Sequence, residues 1–288
     1  MIPSEFDYIK AGSVKEALGL LQQHGDDAKV LAGGHSLVPM LKLRLANPAV
    51  LVDITGIGEL KGITSGSDKV TIGALTTHND IEQSAELKGS FPILAEAATL
   101  IGDPMVRNCG TFGGSLAHAD PAGDWPAIAL ALGAQMHITG LDGERTVAAD
   151  DFFIDILTSD VQPGELLTSI DLPVPSGNVG MSYQKFSHPA SGYAVVGVAA
   201  TVTVDGSGNC ARARVAVTGA GAKATRLNSV EDALVGKALT EENVAAAAAT
   251  AGDGIDYLGD IYASEEYREH LVKVFAKRAV LAAAGNIK

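Results

Sequence analysis

The chain contains few cysteines, few aromatic residues and few basic residues for its length of 288 residues. Its two cysteines, Cys109 and Cys210, lie far apart, so this chain alone cannot build a disulfide framework, a four-thiolate metal site or an iron–sulfur cluster. The 21 Lys and Arg residues are outnumbered by 34 Asp and Glu residues, which gives a formal net charge of −13. Such a chain lacks the basic surface that binds phosphate backbones, which excludes general nucleic-acid binding.

Long apolar runs are also missing. Hydrophobic residues make up 47% of the chain, but they are spread through short segments, and none reaches the ~20 residues that a membrane-spanning helix needs. Residues 1–7 carry no basic segment followed by an apolar stretch, so we expect no secretory signal. Together with the scarcity of cysteine, these features favour a cytoplasmic protein.

Glycine, in contrast, is abundant, with 33 residues, and two glycine-rich loops stand out. The first, Ala-Gly-Gly-His-Ser at 32–36, is predicted between a strand and a short helix; the second is Thr-Phe-Gly-Gly-Ser at 111–115. Successive amides without Cβ atoms can close on an anionic oxygen, and a following helix adds partial positive charge. Either loop alone is consistent with an ordinary tight turn, but the pair predicts a pyrophosphate-binding site. Neither loop has P-loop spacing, which disfavours a nucleoside triphosphatase.

Three further patterns have a more ordinary explanation. Residues 219–224 imitate the G-x-G-x-x-G/A dinucleotide fingerprint, but the strand before them is predicted as the second arm of a hairpin rather than part of a parallel unit. His118, Asp120 and Asp124 have metal-ligand chemistry, yet Asp120 precedes a proline in a predicted turn and Asp124 is placed to cap the next helix. The Gly-His-Ser stretch of the first loop departs at Val38 from the G-x-S-x-G motif of serine hydrolases.

Helix and strand patterns divide the chain into three parts. Residues 1–56 are predicted as strand, helix, strand, helix, strand, and residues 57–175 as a mixture that includes one helix at about 77–87. Two prolines at 173–178 mark a boundary. Residues 176–288 are predicted as three strands followed by helices, so we expect a first domain of about 175 residues and a smaller second domain.

Residues 31–46, 70–74, 101–115 and 163–167 resemble, in sequence, order and spacing, the FAD-binding subunits of the molybdenum hydroxylases. This is the xanthine dehydrogenase family, and the chain is most similar to its carbon monoxide dehydrogenase type of medium subunit. The resemblance covers nearly the whole chain. It implies an α+β fold: a two-subdomain FAD-binding fold of the vanillyl-alcohol-oxidase type, followed by a C-terminal three-stranded antiparallel sheet with a helical bundle.

The resemblance also implies a set of FAD-binding residues, with no catalytic residue and no metal ligand in this chain. The two glycine-rich loops would hold the pyrophosphate. Asp124 matches a position on the adenosine side, Ile101 a position that lines the cofactor, and Tyr193 a position beside the isoalloxazine. The complete predicted set is Ala32, Gly33, Gly34, His35, Ser36, Ile101, Thr111, Gly113, Gly114, Ser115, Asp124, Leu167, Lys185 and Tyr193. On this basis, Val at Gly34 or Gly113 is expected to push a side chain into the phosphate site.

The function implied by the resemblance is electron transfer within a complex. Substrate oxidation would occur at a molybdenum cofactor in a large partner subunit, and electrons would pass through [2Fe–2S] clusters in a small partner subunit to FAD here and then to an external acceptor. A dimer of such heterotrimers is expected. Two alternatives stay open: a self-sufficient flavin oxidase or dehydrogenase of the same fold, and a non-catalytic nucleotide-binding module. The sequence does not select among carbon monoxide, a purine, an N-heterocycle and an aldehyde as substrate.

Overall fold

The N-terminal part of the protein is a small parallel sheet with two helices, as predicted. The structure is a computed structural model that describes residues 1–287. This part contains, in chain order, β1 (Asp7–Lys10), α1 (Val14–His24), β2 (Ala28–Leu31), α2 (Leu37–Leu43) and β3 (Val50–Asp53). Strand β3 lies between β1 and β2 and pairs with both in parallel. Because β3 is central, all four of its residues are buried.

The ends of α1 follow from its local sequence. The Ser13 side chain accepts a hydrogen bond from the Glu16 N–H at the N-terminus, and Gly25, with a φ of 53°, ends the helix in a conformation that suits glycine. Ser13 and Glu16 have the spacing of a capping box, but the box is only half formed, because the Glu16 carboxylate accepts from the Gly12 N–H instead of the Ser13 N–H.

The central part is a five-stranded antiparallel sheet surrounded by short helices. Its elements are β4 (Ile63–Ser65), β5 (Lys69–Gly73), α3 (His78–Gln83), α4 (Ala85–Ser90), α5 (Pro92–Thr99), α6 (Pro104–Arg107), α7 (Phe112–His118), α8 (Asp124–Leu132), β6 (Gln135–Gly140), β7 (Gly143–Ala148), α9 (Ala149–Phe152), β8 (Phe153–Asp155), β9 (Thr158–Ser159) and β10 (Leu166–Pro173). The strand order is β4-β5-β10-β6-β7, and β8 pairs separately with β9. All nine residues of α8 are buried, so this helix forms the centre of the core.

The single helix predicted at about 77–87 is two helices. Ser84 has extended backbone angles, and its hydroxyl accepts a hydrogen bond from the Leu87 N–H. Serine favours this capping role over a position inside a helix, because its hydroxyl competes for backbone hydrogen bonds. The prediction of one continuous helix was therefore wrong at Ser84.

The C-terminal part is an antiparallel sheet covered by helices. It contains β11 (Asn178–Ser187), β12 (Ala194–Val204), β13 (Cys210–Thr218), β14 (Thr225–Arg226), α10 (Asn228–Leu234), α11 (Glu241–Ala248) and α12 (Glu265–Gly285). The three predicted strands are present, and the two-residue strand β14 adds a fourth at the edge. A Cβ at Gly180 would lie 1.9 Å from the Ala283 carbonyl oxygen, so α12 rests directly on β11. The α+β class with a C-terminal antiparallel sheet is confirmed.

Residues 219–224 follow β13, whose neighbours in the sheet are antiparallel. The parallel context that a dinucleotide fingerprint requires is therefore missing there. No helix among residues 1–287 is both long enough and apolar enough to cross a bilayer.

Candidate functional site

One cleft gathers nearly all of the predicted cofactor-binding residues. Its volume is about 690 Å³, within the ~300–1,000 Å³ range of small-molecule sites. All three parts of the chain contribute to its lining. The predicted residues that line it are Ala32, Gly33, Gly34, His35, Ser36, Ile101, Thr111, Gly113, Gly114, Ser115, Asp124, Leu167 and Tyr193. Lys185 lies behind the wall of the cleft, where it contacts Asp124.

The first glycine-rich loop presents unpaired backbone donors. It connects the end of β2 to the start of α2. Within residues 1–287, the N–H groups of Gly33, Gly34, His35 and Ser36 donate to no protein acceptor. Gly34 has a φ of 74°, in the region that favours glycine. Four successive unpaired amides at a cleft are donors available to an anion with several oxygens, such as a pyrophosphate.

The two glycine-rich segments touch because Gly33 lacks a side chain. A Cβ at Gly33 would lie 2.2 Å from the Cys109 carbonyl oxygen and 2.8 Å from the Gly110 Cα. Both distances are far below van der Waals contact, so a larger residue at position 33 would have to move one segment away from the other. Gly33 therefore sets the distance between the two segments at the end of the cleft where the unpaired amides lie.

The second segment differs from the loop that was predicted. Thr111 caps α7, and Gly113 and Gly114 lie in the first turn of that helix. Their amides are occupied, because the Gly113 N–H donates to the Ala74 carbonyl oxygen at 2.9 Å and the Gly114 N–H donates to the Thr111 hydroxyl at 3.2 Å. This segment thus offers the hydroxyl protons of Thr111 and Ser115 to a ligand, rather than a row of free amides.

The packing around two glycines corrects the expected effect of valine at these positions. A Cβ at Gly113 would lie 2.4 Å from the Ala74 Cβ, on the protein side of the helix. A Cβ at Gly34 would lie 3.2 Å from a Val38 methyl group, and the φ of 74° would strain any larger residue there. In both cases, the substitution would disturb packing or backbone conformation before a side chain entered the phosphate site.

Asp124 belongs to a buried polar cluster instead of capping α8. The residue before that helix is Gly123, which has no side chain, and Asp124 is its first residue. The Tyr183 hydroxyl donates to the Asp124 carboxylate at 2.5 Å, and the Lys185 Nζ donates to it at 2.9 Å. Burial raises the pKa of Asp124, whereas Lys185 and Tyr183 oppose that shift. The predicted capping role was wrong because partners on β11, about 60 positions away, take up the carboxylate. The proposed contact of Asp124 with adenosine stays a prediction.

Tyr193 stands at the mouth of the cleft, close to the first loop. Its side chain is 43% exposed. Partial burial raises the pKa of Tyr193, and the charges of Asp120 and Asp124 act in the same direction, whereas the nearby Ser36 side chain opposes them. The proposed contact of the Tyr193 ring with the isoalloxazine stays a prediction.

His78 is a residue of the cleft that sequence reasoning missed. It is 5% exposed, and its Nδ1 accepts a hydrogen bond from the Trp125 Nε1 at 3.1 Å. Burial lowers the pKa of His78 to about 4, and the neighbouring charges of His35 and Arg107 add to the shift. The imidazole is therefore neutral at pH 7 and carries its proton on Nε2. No local pattern could reveal this, because Trp125 lies 47 positions away in the chain.

This depressed pKa predicts a loss of stability in acid. Between pH 6.5 and pH 4, the unfolded state binds a proton at His78 that the folded state does not bind, so the free energy of unfolding falls as the pH falls through this window. The expected loss from this one group is about 3 kcal/mol. Urea unfolding of the wild type and of His78→Gln at pH 7 and pH 4.5 measures it. An identical pH dependence in both proteins would contradict the assignment.

The histidine and carboxylates near the second segment do not form a metal site. The Asp120 carboxylate accepts from the Ala122 N–H in a tight turn, as its position before proline predicted. Within residues 1–287, no three His, Cys, Asp or Glu side chains converge in a way that could hold a metal ion.

Comparison with known proteins identifies the family. The family model for the FAD binding domain in molybdopterin dehydrogenase matches residues 4–175, and the model for the CO dehydrogenase flavoprotein C-terminal domain matches residues 181–283. The chain belongs to this family of FAD-binding subunits. The resemblance noted from the two glycine-rich segments is therefore confirmed, as is the assignment to oxidoreductase subunits.

Relatives of this subunit match along essentially the whole chain. The carbon monoxide dehydrogenase medium chain of Hydrogenophaga pseudoflava is 40% identical, covering 98% of this chain and 98% of its own. Subunit alpha of the 6-hydroxypseudooxynicotine dehydrogenase complex of Paenarthrobacter nicotinovorans is also 40% identical, covering 97% of this chain and 95% of its own. A solved structure of carbon monoxide dehydrogenase from Hydrogenophaga pseudoflava, lacking the Mo-pyranopterin moiety, superimposes with a TM-score of 0.97 at 41% identity and full coverage of both chains.

The cofactor of this flavoprotein subunit is FAD, and the cleft fits it. The unpaired amides of residues 33–36 would supply donors for the phosphates without a positively charged side chain. Backbone amides of this kind explain how a chain with a net charge of −13 can hold an anionic dinucleotide. Ile101 and Leu167 add apolar walls, and Tyr193 adds an aromatic one.

Proposed function

We propose that this chain is the FAD-binding electron-transfer subunit of a molybdenum hydroxylase complex. It would receive electrons from iron–sulfur clusters of a partner subunit and pass them through FAD to an external acceptor. The observation that supports this proposal best is the row of four unpaired amides in a cleft lined by 13 of the 14 predicted residues. Bound FAD supplies the redox chemistry, and the protein positions the flavin and tunes its surroundings.

The protein's own residues support a division of labour among subunits. Its two cysteines are free, one exposed and one buried, and two separated thiols cannot ligate an iron–sulfur cluster. We therefore propose a large subunit that holds the molybdenum cofactor and a small subunit that holds [2Fe–2S] clusters. These would form a dimer of heterotrimers in the cytoplasm. Within this chain, residues 1–175 would form the FAD-binding domain, with subdomains at about 1–56 and 57–175, and residues 176–288 the C-terminal domain.

The substrate of the complex is not set by this subunit in our proposal. Two relatives at 40% identity carry the names of different enzymes, one for carbon monoxide and one for 6-hydroxypseudooxynicotine. The cleft is lined by residues suited to FAD, so we assign substrate selection to the large subunit that would hold the molybdenum cofactor. A complex of the carbon monoxide dehydrogenase type is the form that we favour.

Purification of the chain with its native partners tests this proposal. Co-purifying chains with molybdenum and iron–sulfur absorption, together with FAD, would support it. A yellow protein that oxidises a small molecule without partners would instead indicate a self-sufficient flavin enzyme. A colourless protein with a bound nucleotide would indicate a non-catalytic binding module.

Replacing Tyr193 tests whether its ring adjoins the flavin. Tyr193→Ala is expected to shift the flavin absorption bands and slow flavin reduction in the complex. It should change the melting temperature by less than about 2 °C, because a 43% exposed ring adds little to the core. The exposed Tyr262, replaced by Ala, is the matched control and should leave the flavin spectrum unchanged. Unaltered spectra and kinetics in Tyr193→Ala would remove this residue from the site.

A further inference from the structure

His78 combines features that point to direct contact with a ligand. It is buried at the N-terminus of α3, and its backbone N–H donates to the Gly110 carbonyl oxygen at 3.0 Å. The side chain lines the same cleft as the two glycine-rich segments. Within residues 1–287, Nε2 has no hydrogen-bond partner, and it is not one of the fully buried unpaired atoms, so it is accessible from the cleft. A ring nitrogen that carries a proton and faces an open cleft without a protein acceptor is available to donate to a ligand or to water.

The orientation of the ring is fixed by its neighbours. Because the Trp125 Nε1 donates to Nδ1, that nitrogen must be the acceptor, and Nε2 carries the proton. Trp125 in turn packs edge-on against Phe112 at a centroid distance of 5.1 Å. Phe112 is the first residue of α7, so this chain of contacts ties the ring to the second glycine-rich segment.

Gly110 shows how closely the ring approaches that segment. A Cβ at Gly110 would lie 2.7 Å from the His78 Nε2, so the absence of a side chain leaves this nitrogen uncovered. The charge of His35, from the first loop, also acts on the ring. The uncovered N–H therefore lies near both segments, at the end of the cleft where the free amides are.

We infer that His78 is a cofactor-binding residue whose neutral Nε2–H donates to a pyrophosphate oxygen of the bound dinucleotide, held in that orientation by Trp125. The inference rests on the proposed function, because it requires FAD in this cleft. It adds a side-chain donor to a site otherwise built from backbone amides and hydroxyl groups. A neutral donor suits this place because burial and the neighbouring charge of Arg107 disfavour a cationic imidazole.

A pair of variants with side chains of similar size isolates the donor. His78→Gln keeps a donor and an acceptor, and His78→Met removes both. Each protein is purified as the full chain with any partners it retains, freed of flavin, checked by thermal melting and titrated with FAD. His78→Met is expected to bind FAD about 10- to 100-fold more weakly than the wild type, the loss of one hydrogen bond to a charged acceptor. His78→Gln should recover most of that affinity. The exposed His270, replaced by Met, should bind as the wild type does.

ADP, which carries a pyrophosphate and no isoalloxazine, identifies the group that is contacted. We expect ADP to compete with FAD in the wild type and to lose affinity in His78→Met by the same factor. Loss of FAD affinity without loss of ADP affinity would overturn the pyrophosphate assignment. Equal FAD affinity in the Met and Gln variants would overturn the donor role while leaving the proposed function intact. A wild-type protein that takes up no FAD would overturn both.

Discussion

Gly33→Ala is expected to abolish retention of FAD while leaving most of the fold intact. The added Cβ would lie 2.2 Å from the Cys109 carbonyl oxygen, so the two glycine-rich segments must separate by about an ångström or the first loop must turn away. Several of the four free amides would then miss the phosphate oxygens. Since a hydrogen bond to a charged group contributes about 1.5–3 kcal/mol, loss of two or more weakens binding at least about 100-fold.

The measurement is FAD titration of flavin-free protein, with thermal melting of the same samples. Gly89→Ala is the matched control, because a Cβ at Gly89 in α4 meets no atom within 4 Å. That variant should bind FAD with wild-type affinity. If Gly33→Ala also binds FAD with wild-type affinity, close contact between the two segments has no role in the site.

The parts of the fold that the sequence predicts well are those governed by neighbouring residues. Strands and helices alternate in the N-terminal part as expected, because capping at Ser13 and termination at Gly25 depend on residues within one turn. The break at Ser84 could have been predicted on the same grounds, since serine favours helix ends. Strand β14 is two residues long and has no periodicity of its own. It exists because β13 offers a free edge.

The pair of glycine-rich loops predicted a pyrophosphate site and the resemblance predicted the other residues of the cleft, but neither predicted the hydrogen bonding inside it. Residues 32–36 and 111–115 are recognisable as segments, but only the folded chain shows that the first has free amides and the second has occupied ones. The hydrogen bonding of Asp124 depends on Lys185, and that of His78 depends on Trp125, and both partners are distant in the chain. Pairings of this kind arise from tertiary packing, so a single sequence does not contain the signal that would reveal them.

Lys185→Met is expected to destabilise the folded protein by about 3–5 kcal/mol, because it leaves a buried carboxylate without its cation. The Lys185 side chain is 1% exposed and that of Asp124 is 7% exposed, and Lys185 also donates to the Leu100 carbonyl oxygen at 3.0 Å. The pair joins α8 to β11, so it links the central part of the chain to the C-terminal sheet. Urea unfolding at pH 7 gives the change in the free energy of unfolding.

Two controls separate this buried pair from ordinary surface charge. Lys273 and Glu269 form an ion pair one helical turn apart with side chains 40% and 47% exposed, and Lys273→Met should cost less than about 1 kcal/mol. The double variant Asp124→Asn with Lys185→Met should be more stable than Lys185→Met alone, because no unpaired charge remains buried. A loss in Lys185→Met as small as that in Lys273→Met would show that Asp124 takes up a proton when its partner is removed. Burial already raises the pKa of the Asp124 carboxyl, so the free energy of unfolding of Lys185→Met would then fall with increasing pH.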